Sequence, residues 1–564
     1  MITSNLLSRW GMLSVFTLII AFSTDDLAAQ QFDEVYSDWP VQLKINGRII
    51  VDNGLADWSD SKPLLESIAR DNSVVCFSRG GDESHTSLST ALKQAVGDEG
   101  HFESKSLAAL SVMDLKDALS WASVVVIQGA QPEKTDLATL RKLKSHFDEF
   151  LERGQTLIFD TGFAHVLGKV VVPTELPTEG IAGLNLIPDS ILHSSFDGQK
   201  DATTRLLDVV SQHPRTVGIG VPRGMALLFS GRKMTCRGSG EVTFVLPGCD
   251  HLPPRIESIK PESPRRIGTP EALVDLTEWR RDAIDRTLKP FPPAEPETPF
   301  VENGTLVIVG GGGSPTGLMT KFVELAGGVE KARLVYVPCV EEVDASADVG
   351  PVPAWKRMGV SKISIIHTKD RQRANTDDKF LEPLTDATGI WFGGGRQWNL
   401  ADSYYGTKAH RLMKEVLHRG GVVGGSSAGA SIQARYLARA TPIGNFRIMA
   451  PGYERGGLGF ISGVAIDQHF SQRGRQKDMT QLMTRYPQLL GIGLDEATAI
   501  IVQKSKADVI GKGRVFFYDR KRSVEADQPD YIALPADSSY DLASRTVLVD
   551  GTPPEKDKTE GKSE

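Results

Sequence analysis

A serine that acts as a nucleophile has to stand clear of its own backbone at a sharp turn. Gly425-Ser426-Ser427-Ala428-Gly429 has the Gly-x-Ser-x-Gly form of such a turn. Val422 and Val423 end a predicted strand before it and residues 430–439 read as a helix behind it, which exposes Ser427 at a helix N-terminus. There the Ala428 amide lacks an intrahelical acceptor and can serve an oxyanion. A serine nucleophile also needs a base, and the base needs an orienting group. His469 is the only histidine downstream of the turn, within a dense polar run, Asp467-Gln468-His469-Phe470-Ser471-Gln472-Arg473-Gly474-Arg475, at a predicted strand end. Two adjacent acids, Asp495 and Glu496, precede a further buried strand, and either can hold the imidazole. The chain order is Ser, His, acid. The α/β hydrolases run Ser, acid, His, so an ordinary hydrolase of that fold is disfavoured.

These residues must be carried by strands and helices in alternation. Short Val/Ile-rich runs at 305–309, 334–338, 362–367, 389–392, 421–423, 465–467 and 499–502 alternate with helical segments. That pattern predicts an α/β domain with a mainly parallel sheet covered on both faces. Sites in such sheets form outside the carboxyl ends of the strands, where both Gly393-Gly394-Gly395 and the serine turn fall.

The runs Phe392-Gly393-Gly394-Gly395-Arg396-Gln397, Gly425 to Ala430, Asp467 to Arg475 and Gly491-Ile492-Gly493-Leu494-Asp495-Glu496 resemble those of cyanophycinase, of the serine peptidases that also include aspartyl dipeptidase. The resemblance spans about residues 303–520. It implies a flavodoxin-like, class I glutamine-amidotransferase-like three-layer fold, no cofactor and no metal. It also implies exopeptidase cleavage of cyanophycin, a poly-aspartate with arginine on each β-carboxyl, to β-aspartyl-arginine. Carried across residue by residue, Ser427 is the nucleophile, His469 the base and Glu496 the orienting acid. Ala428 with Gly394 or Gly395 forms the oxyanion hole, and Gln397, Asp467, Gln468, Arg473 and Arg475 line the substrate pocket. In charge terms, Arg473 and Arg475 can take carboxylates and Asp467 a guanidinium. Two departures stand out. Ser426 occupies a place where the family usually has threonine, and Gln476-Lys477-Asp478 replaces Leu-Gly-Arg, so an acid stands where a substrate-binding arginine is expected; either Lys477 substitutes for it or the preferred substrate is not cyanophycin. A different aspartyl or isopeptide substrate, or a binding protein without activity, are the alternative readings.

The rest of the chain gives the setting. It has 564 residues, 40% hydrophobic and 24% charged, more than one ordinary domain holds. A net charge of −7 with no sizeable basic block gives no support to a nucleic-acid partner. Arg9, the apolar run from Trp10 to Phe22 and Ala28-Ala29 have the layout of a signal peptide over 1–29, which implies an exported protein; an uncleaved anchor is the alternative. No later segment reads as a membrane span. Residues 253–303 are proline-dense around one predicted helix and read as a linker; 551–564 read as a disordered tail. Cys236 and Cys249 flank a predicted strand and could pair, with scattered buried thiols the other reading. No Cys or His cluster has metal-ligand spacing.

Residues 30–252 and 304–550 run in parallel. Gly183 to Ile187 resembles Gly457 to Ile461, Val217 to Val221 resembles Leu490 to Leu494, and Met225 to Phe229 tracks Thr498 to Val502. This predicts two copies of one α/β domain, packed as a pseudo-dimer within the chain, with a homodimer the alternative. The first is degenerate, with Thr161 opposite Ser427, Ser195 opposite His469 and Arg223 opposite Glu496.

Overall fold

The computed structural model describes residues 39–551 except 41–43, 60–61, 69–72, 80–86, 99, 108, 172–180, 195, 197, 262–273, 341–348, 443–446 and 524–527. The expected leader over 1–29, the tail beyond Gly551, and Ser195 lie outside the described residues.

In the second half, Val/Ile-rich runs bury both faces and form the middle of a nine-stranded sheet. Its order is Lys362–Ile365, Arg333–Cys339, Gly389–Gly395, Val422–Ser426, Val301–Val309, Thr498–Lys504, Lys506–Gly511, Ser539–Asp541 and Thr546–Val549. The first five strands are parallel and the rest antiparallel. The parallel five follow the flavodoxin order 2-1-3-4-5, except that the strand first in sequence takes the fifth place. The sheet is therefore α/β as expected, and mixed. One face is sealed by Phe322 and Trp355 stacked on each other, with Trp391 edge-on to Phe322. Burying each such ring contributes about 1.5–3 kcal/mol or more.

Strands Ile461–Asp467 and Leu490–Leu494 do not join this sheet. They lie in a second, five-stranded one with Ala434–Tyr436, Val515–Asp519 and Ile532–Leu534. The helix expected over 430–439 is correspondingly one turn, Ala428–Ser431. Gln433 stops it, because its side-chain amide donates to Gly429 O at 2.9 Å and takes an acceptor the next turn would need. The chain then leaves as the edge strand of the second sheet.

The first half has the same strand succession. Its main sheet runs His101–Leu107, Ser73–Arg79, Val124–Gly129, Thr156–Asp160, Ile45–Asn53, Met225–Gly231, Lys233–Gly238, Val274–Asp275. Its second sheet runs Ser190–His193, Val217–Gly220, Val242–Leu246, Arg255–Ile259. Irregularities coincide too. Ile45–Asn53 and Val301–Val309 each carry a register shift at a positive-φ glycine, Gly47 and Gly304.

The proline-dense stretch is packed over much of its length. Arg255–Ile259 and Val274–Asp275 belong to the sheets of the first half, and helix Leu276–Asp285 is buried at all ten positions. Asp275 caps that helix, accepting from Glu278 N at 2.8 Å. Its buried charges are paired, as burial requires: Arg280 with Asp189, Glu278 and Asp282 with Arg255, Asp285 with Arg455. All four cysteines are free; Cys76, Cys236 and Cys339 are buried and Cys249 is partly buried, so the pairing of Cys236 with Cys249 does not occur.

Candidate active site

Three strand ends of the second half converge at their carboxyl edge. After Val422–Ser426 the backbone turns sharply at Ser427, at φ 57° and ψ −114°, a conformation that costs a non-glycine residue on the order of 1–3 kcal/mol. It is held by Ser427 N donating to Val309 O at 3.0 Å. After Ile461–Asp467 comes His469, also at positive φ, whose amide donates to Gly310 O at 2.8 Å. Glu496 follows Leu490–Leu494.

Ser427 Oγ lies 2.9 Å from His469 Nε2, and His469 Nδ1 lies 2.6 Å from Glu496 Oε1. A carboxylate only accepts, so Nδ1 carries the proton and Nε2 is left to accept from the serine hydroxyl. Burial holds the imidazole below its ordinary value near 6.5, and the Arg473 and Arg475 cations add to this against the opposing pull of Glu496. Asp495 is turned elsewhere: its carboxylate accepts from Ser471 N and Oγ and from Arg514 N. Of the two acids, Glu496 meets the histidine.

Gly394 lies beside the serine; a Cβ there would sit 3.5 Å from Ser427 Cβ. Ala428 N begins its one-turn helix without an intrahelical acceptor, and Gly395 ends its strand at φ 145°. Of the residues expected to offer an oxyanion amide, Ala428 and Gly394 adjoin Ser427, while Gly395 packs on Cys339.

The expected pocket residues divide. Arg473 is exposed. The others are built into the wall. Asp467 is fully buried and already holds two guanidinium groups, Arg439 at 2.8 Å and Arg475 at 2.9 Å, so it is not open to a substrate guanidinium. Arg475 is likewise committed, to Asp467, Gln468 O and Gln468 Oε1. Gln397 donates its side-chain amide to Ala438 O and Arg439 O. Asp478 ion-pairs with Arg439 at 2.8 Å.

Three contributors escaped the sequence reading. Gly310 to Gly313, after Val301–Val309, run beneath the site: a Cβ on Gly311 would stand 2.4 Å from the His469 ring, and one on Gly312 would stand 2.4 Å from the Glu496 carboxyl. Four consecutive glycines at a strand's carboxyl end were a readable signal. Gln472 Oε1 accepts from Glu496 N at 3.0 Å. Arg439 gave no signal, since it ended a predicted helix. Among the described residues no group of three or more His, Cys, Asp or Glu is placed to hold a metal, and no helix is long and apolar enough to cross a membrane.

The corresponding strand ends of the first half carry other groups. Thr156 pairs with Val124 as Val422 pairs with Gly389, which sets Thr161 opposite Ser427. The Phe196 ring packs on Gly220 as Phe470 does on Gly493. Asp160 places its carboxylate on two amides, Gly129 N at 2.7 Å and Gly162 N at 3.1 Å, at the positions that match Gly395 and Ala428.

A strained serine bonded to an imidazole that is bonded to a carboxylate, at the carboxyl edge of an α/β sheet, is the arrangement of a serine-type hydrolase. Residues 305–510 match Peptidase family S51. The chain is 28% identical over 224 residues to a cyanophycinase of Geminocystis herdmanii, covering 39% of this chain and 82% of that protein. It is 25% identical over 246 residues to a cyanophycinase of Trichormus variabilis, covering 42% and 80%. A peptidase of solved structure from an acI-B1 Actinobacterium aligns with 43% of this chain and 97% of its own length, at 22% identity and a TM-score of 0.33. The second half is a serine-type peptidase domain that resembles Peptidase family S51 and the cyanophycinases.

Proposed function

We propose that the protein hydrolyses cyanophycin or a related aspartyl peptide through an acyl-enzyme formed on Ser427. His469 Nε2 takes the Ser427 proton as Oγ attacks the scissile carbonyl carbon. The amides of Ala428 and of Gly394 or Gly395 receive the oxyanion. Collapse breaks the C–N bond, and the proton on His469 passes to the leaving amine. Water, deprotonated by the same imidazole, then attacks the acyl carbon and frees Ser427 while the proton returns. The Ser427–His469–Glu496 chain of contacts carries this reading. The cyanophycinase names of the relatives support the substrate. Replacing Ser427 by Ala and following release of β-aspartyl-arginine from insoluble cyanophycin tests it; release at the wild-type rate removes Ser427 from the reaction.

One observation favours a different aspartyl or isopeptide substrate. Asp478 brings a carboxylate, 46% exposed, where the resemblance to cyanophycinase implies an arginine. Arg473 and Lys477 are the exposed cations of this run available to a substrate carboxylate. Assays on β-aspartyl dipeptides of varied side chain separate the two substrates.

We also infer that the first half is a degenerate copy of the second. Matching strand succession, the coincident shifts at Gly47 and Gly304, and Thr161 in the serine's place support it. Export follows from the leader-like first 29 residues and is tested by localising the protein in cell fractions.

A further inference from the structure

We propose that the first half and the buried helix Leu276–Asp285 set the geometry of the active site, with Arg232, Arg281 and Tyr453 as positioning residues that act through Asp402. The inference rests on the serine mechanism above.

Helix Trp398–Tyr404 starts where the oxyanion loop stops: Gln397 follows Gly395 and Arg396, and the amides of Leu400 and Ala401 donate to Gln397 O. Any rotation of this helix moves the loop. Asp402, one turn along it and 3% exposed, is gripped from outside the peptidase half. Arg232, in the turn between two strands of the first half, ion-pairs with Asp402 and donates from Nε to Asp275 Oδ2 at 2.5 Å. Its guanidinium also lies over the Trp398 ring, 4.5 Å from the centroid, at the helix's first residue. Arg281, fully buried on Leu276–Asp285, ion-pairs with the other Asp402 oxygen. Burial pushes the Asp402 carboxyl up, but the two guanidinium groups outweigh it and hold it below the usual range.

The histidine side is tied to the same point. Tyr453 OH donates to Asp402 Oδ1 at 3.0 Å and accepts from Arg232. Tyr453 belongs to residues 447–456, which rest on the buried helix at two points: a Cβ on Gly452 would meet Glu278 O at 2.4 Å, and Arg455 pairs with Asp285 at 3.3 Å. Ile448 O of these residues accepts from Arg439 N at 2.9 Å, and Arg439 in turn holds Asp467, two residues before His469, while its carbonyl accepts from Gln397. Both walls around Ser427 thus converge on one buried charge cluster that is completed by the first half. A bistable or displaced wall misplaces the oxyanion donors, and a displacement of about 1 Å costs on the order of a hundredfold in rate.

The test uses the full chain. Wild type, Arg232→Met and Tyr453→Phe are compared for β-aspartyl-arginine release and for labelling of Ser427 by a fluorophosphonate, well below each variant's unfolding midpoint. Tyr453→Phe removes one hydroxyl and keeps the ring, so it tests the proposal even where Arg232→Met fails to fold. Expected are a kcat lowered about tenfold for Arg232→Met and about threefold for Tyr453→Phe with KM within about twofold, and slower labelling in step. Lowered melting temperatures with wild-type kcat and labelling rate overturn the positioning role and leave the serine mechanism standing. Absence of labelling in the wild type itself overturns the mechanism, and this proposal with it.

Discussion

Asp160 presents its carboxylate to the Gly129 amide at 2.7 Å, at the place in the first half that matches the oxyanion side of Ser427 in the second. Its other oxygen accepts from Gly162 N. Two amides that could receive an oxyanion therefore already hold an internal carboxylate, and the Thr161 hydroxyl beside them donates to Asp52 O at 3.4 Å. Converting Thr161 to Ser in a Ser427→Ala background is expected to restore no peptide hydrolysis; a measurable kcat, or fluorophosphonate labelling at position 161, contradicts the degenerate reading of this half.

Asp52 is the strand neighbour of Asp160 and is 4% exposed. Burial pushes its carboxyl up from 3.8 to about 6, against the Leu55 and Gly54 amides it accepts from. A carboxyl whose folded value is raised binds its proton more tightly in the native state. The native state is therefore relatively favoured below about 3.8 and loses that advantage as pH rises toward 6, on the order of 2–3 kcal/mol in all. Asp52→Asn keeps the accepting oxygen and removes the charge. It is expected to raise the melting temperature at pH 8, with the gain vanishing near pH 4; a variant less stable than wild type at both pH values refutes the assignment.

His469 must be neutral to accept the Ser427 proton, so activity rises with pH through its titration. With the imidazole held below its ordinary value, the acid limb of kcat/KM is expected below pH 6.5. Arg473→Ala removes a cation that lowers it and should move the limb to higher pH. Glu496→Gln removes a carboxylate that raises it, so the limb should move lower while kcat falls about 10²- to 10⁴-fold from loss of orientation. A limb that moves the opposite way in either variant disproves the electrostatic assignment.

Gly311 lies so close to His469 that any side chain must displace the ring, and its φ of +99° is strained for other residues. Gly311→Ala is expected to lower kcat/KM about a hundredfold or more while the far-ultraviolet dichroism stays that of wild type. Wild-type turnover in this variant would mean that the loop does not set the imidazole.

The strands that present the site were readable in the sequence because their Val/Ile runs alternate with helical segments and end in glycines. Ser427 and His469 were readable by type and spacing. Glu496 and Asp495 were not separable, because which of two adjacent acids faces the histidine depends on the turn that presents them. The helix expected after the serine failed for a tertiary reason: Gln433 caps it after one turn and the chain joins a second sheet. The proline-dense stretch misled because composition reports stiffness and not burial; its helix is covered on every side and its charges find partners in both halves. Arg439 was invisible, since its partners Asp467 and Asp478 lie 28 and 39 residues away.

Asp478 gives the sharpest test of specificity. Arg439 Nη2 bonds both Asp467 and Asp478, so two guanidinium groups, of Arg439 and Arg475, balance two carboxylates. The acid at position 478 is thus the counter-ion of a cation supplied by another element. Asp478→Arg introduces the residue type that the resemblance leads one to expect, yet on its own it sets a third guanidinium beside Arg439 in a half-buried site. Removing one partner of such a pair and replacing it by a like charge is expected to destabilise by several kcal/mol, about 3–5 at the buried limit and less here because Asp478 is partly exposed. The single variant should therefore melt lower and lose activity on cyanophycin. Arg439→Ala combined with Asp478→Arg should recover much of the loss, because the new guanidinium can then face Asp467. A single Asp478→Arg variant that is as stable as wild type and more active on cyanophycin would show that Arg439 does not need its acid, and that position 478 reports directly on substrate.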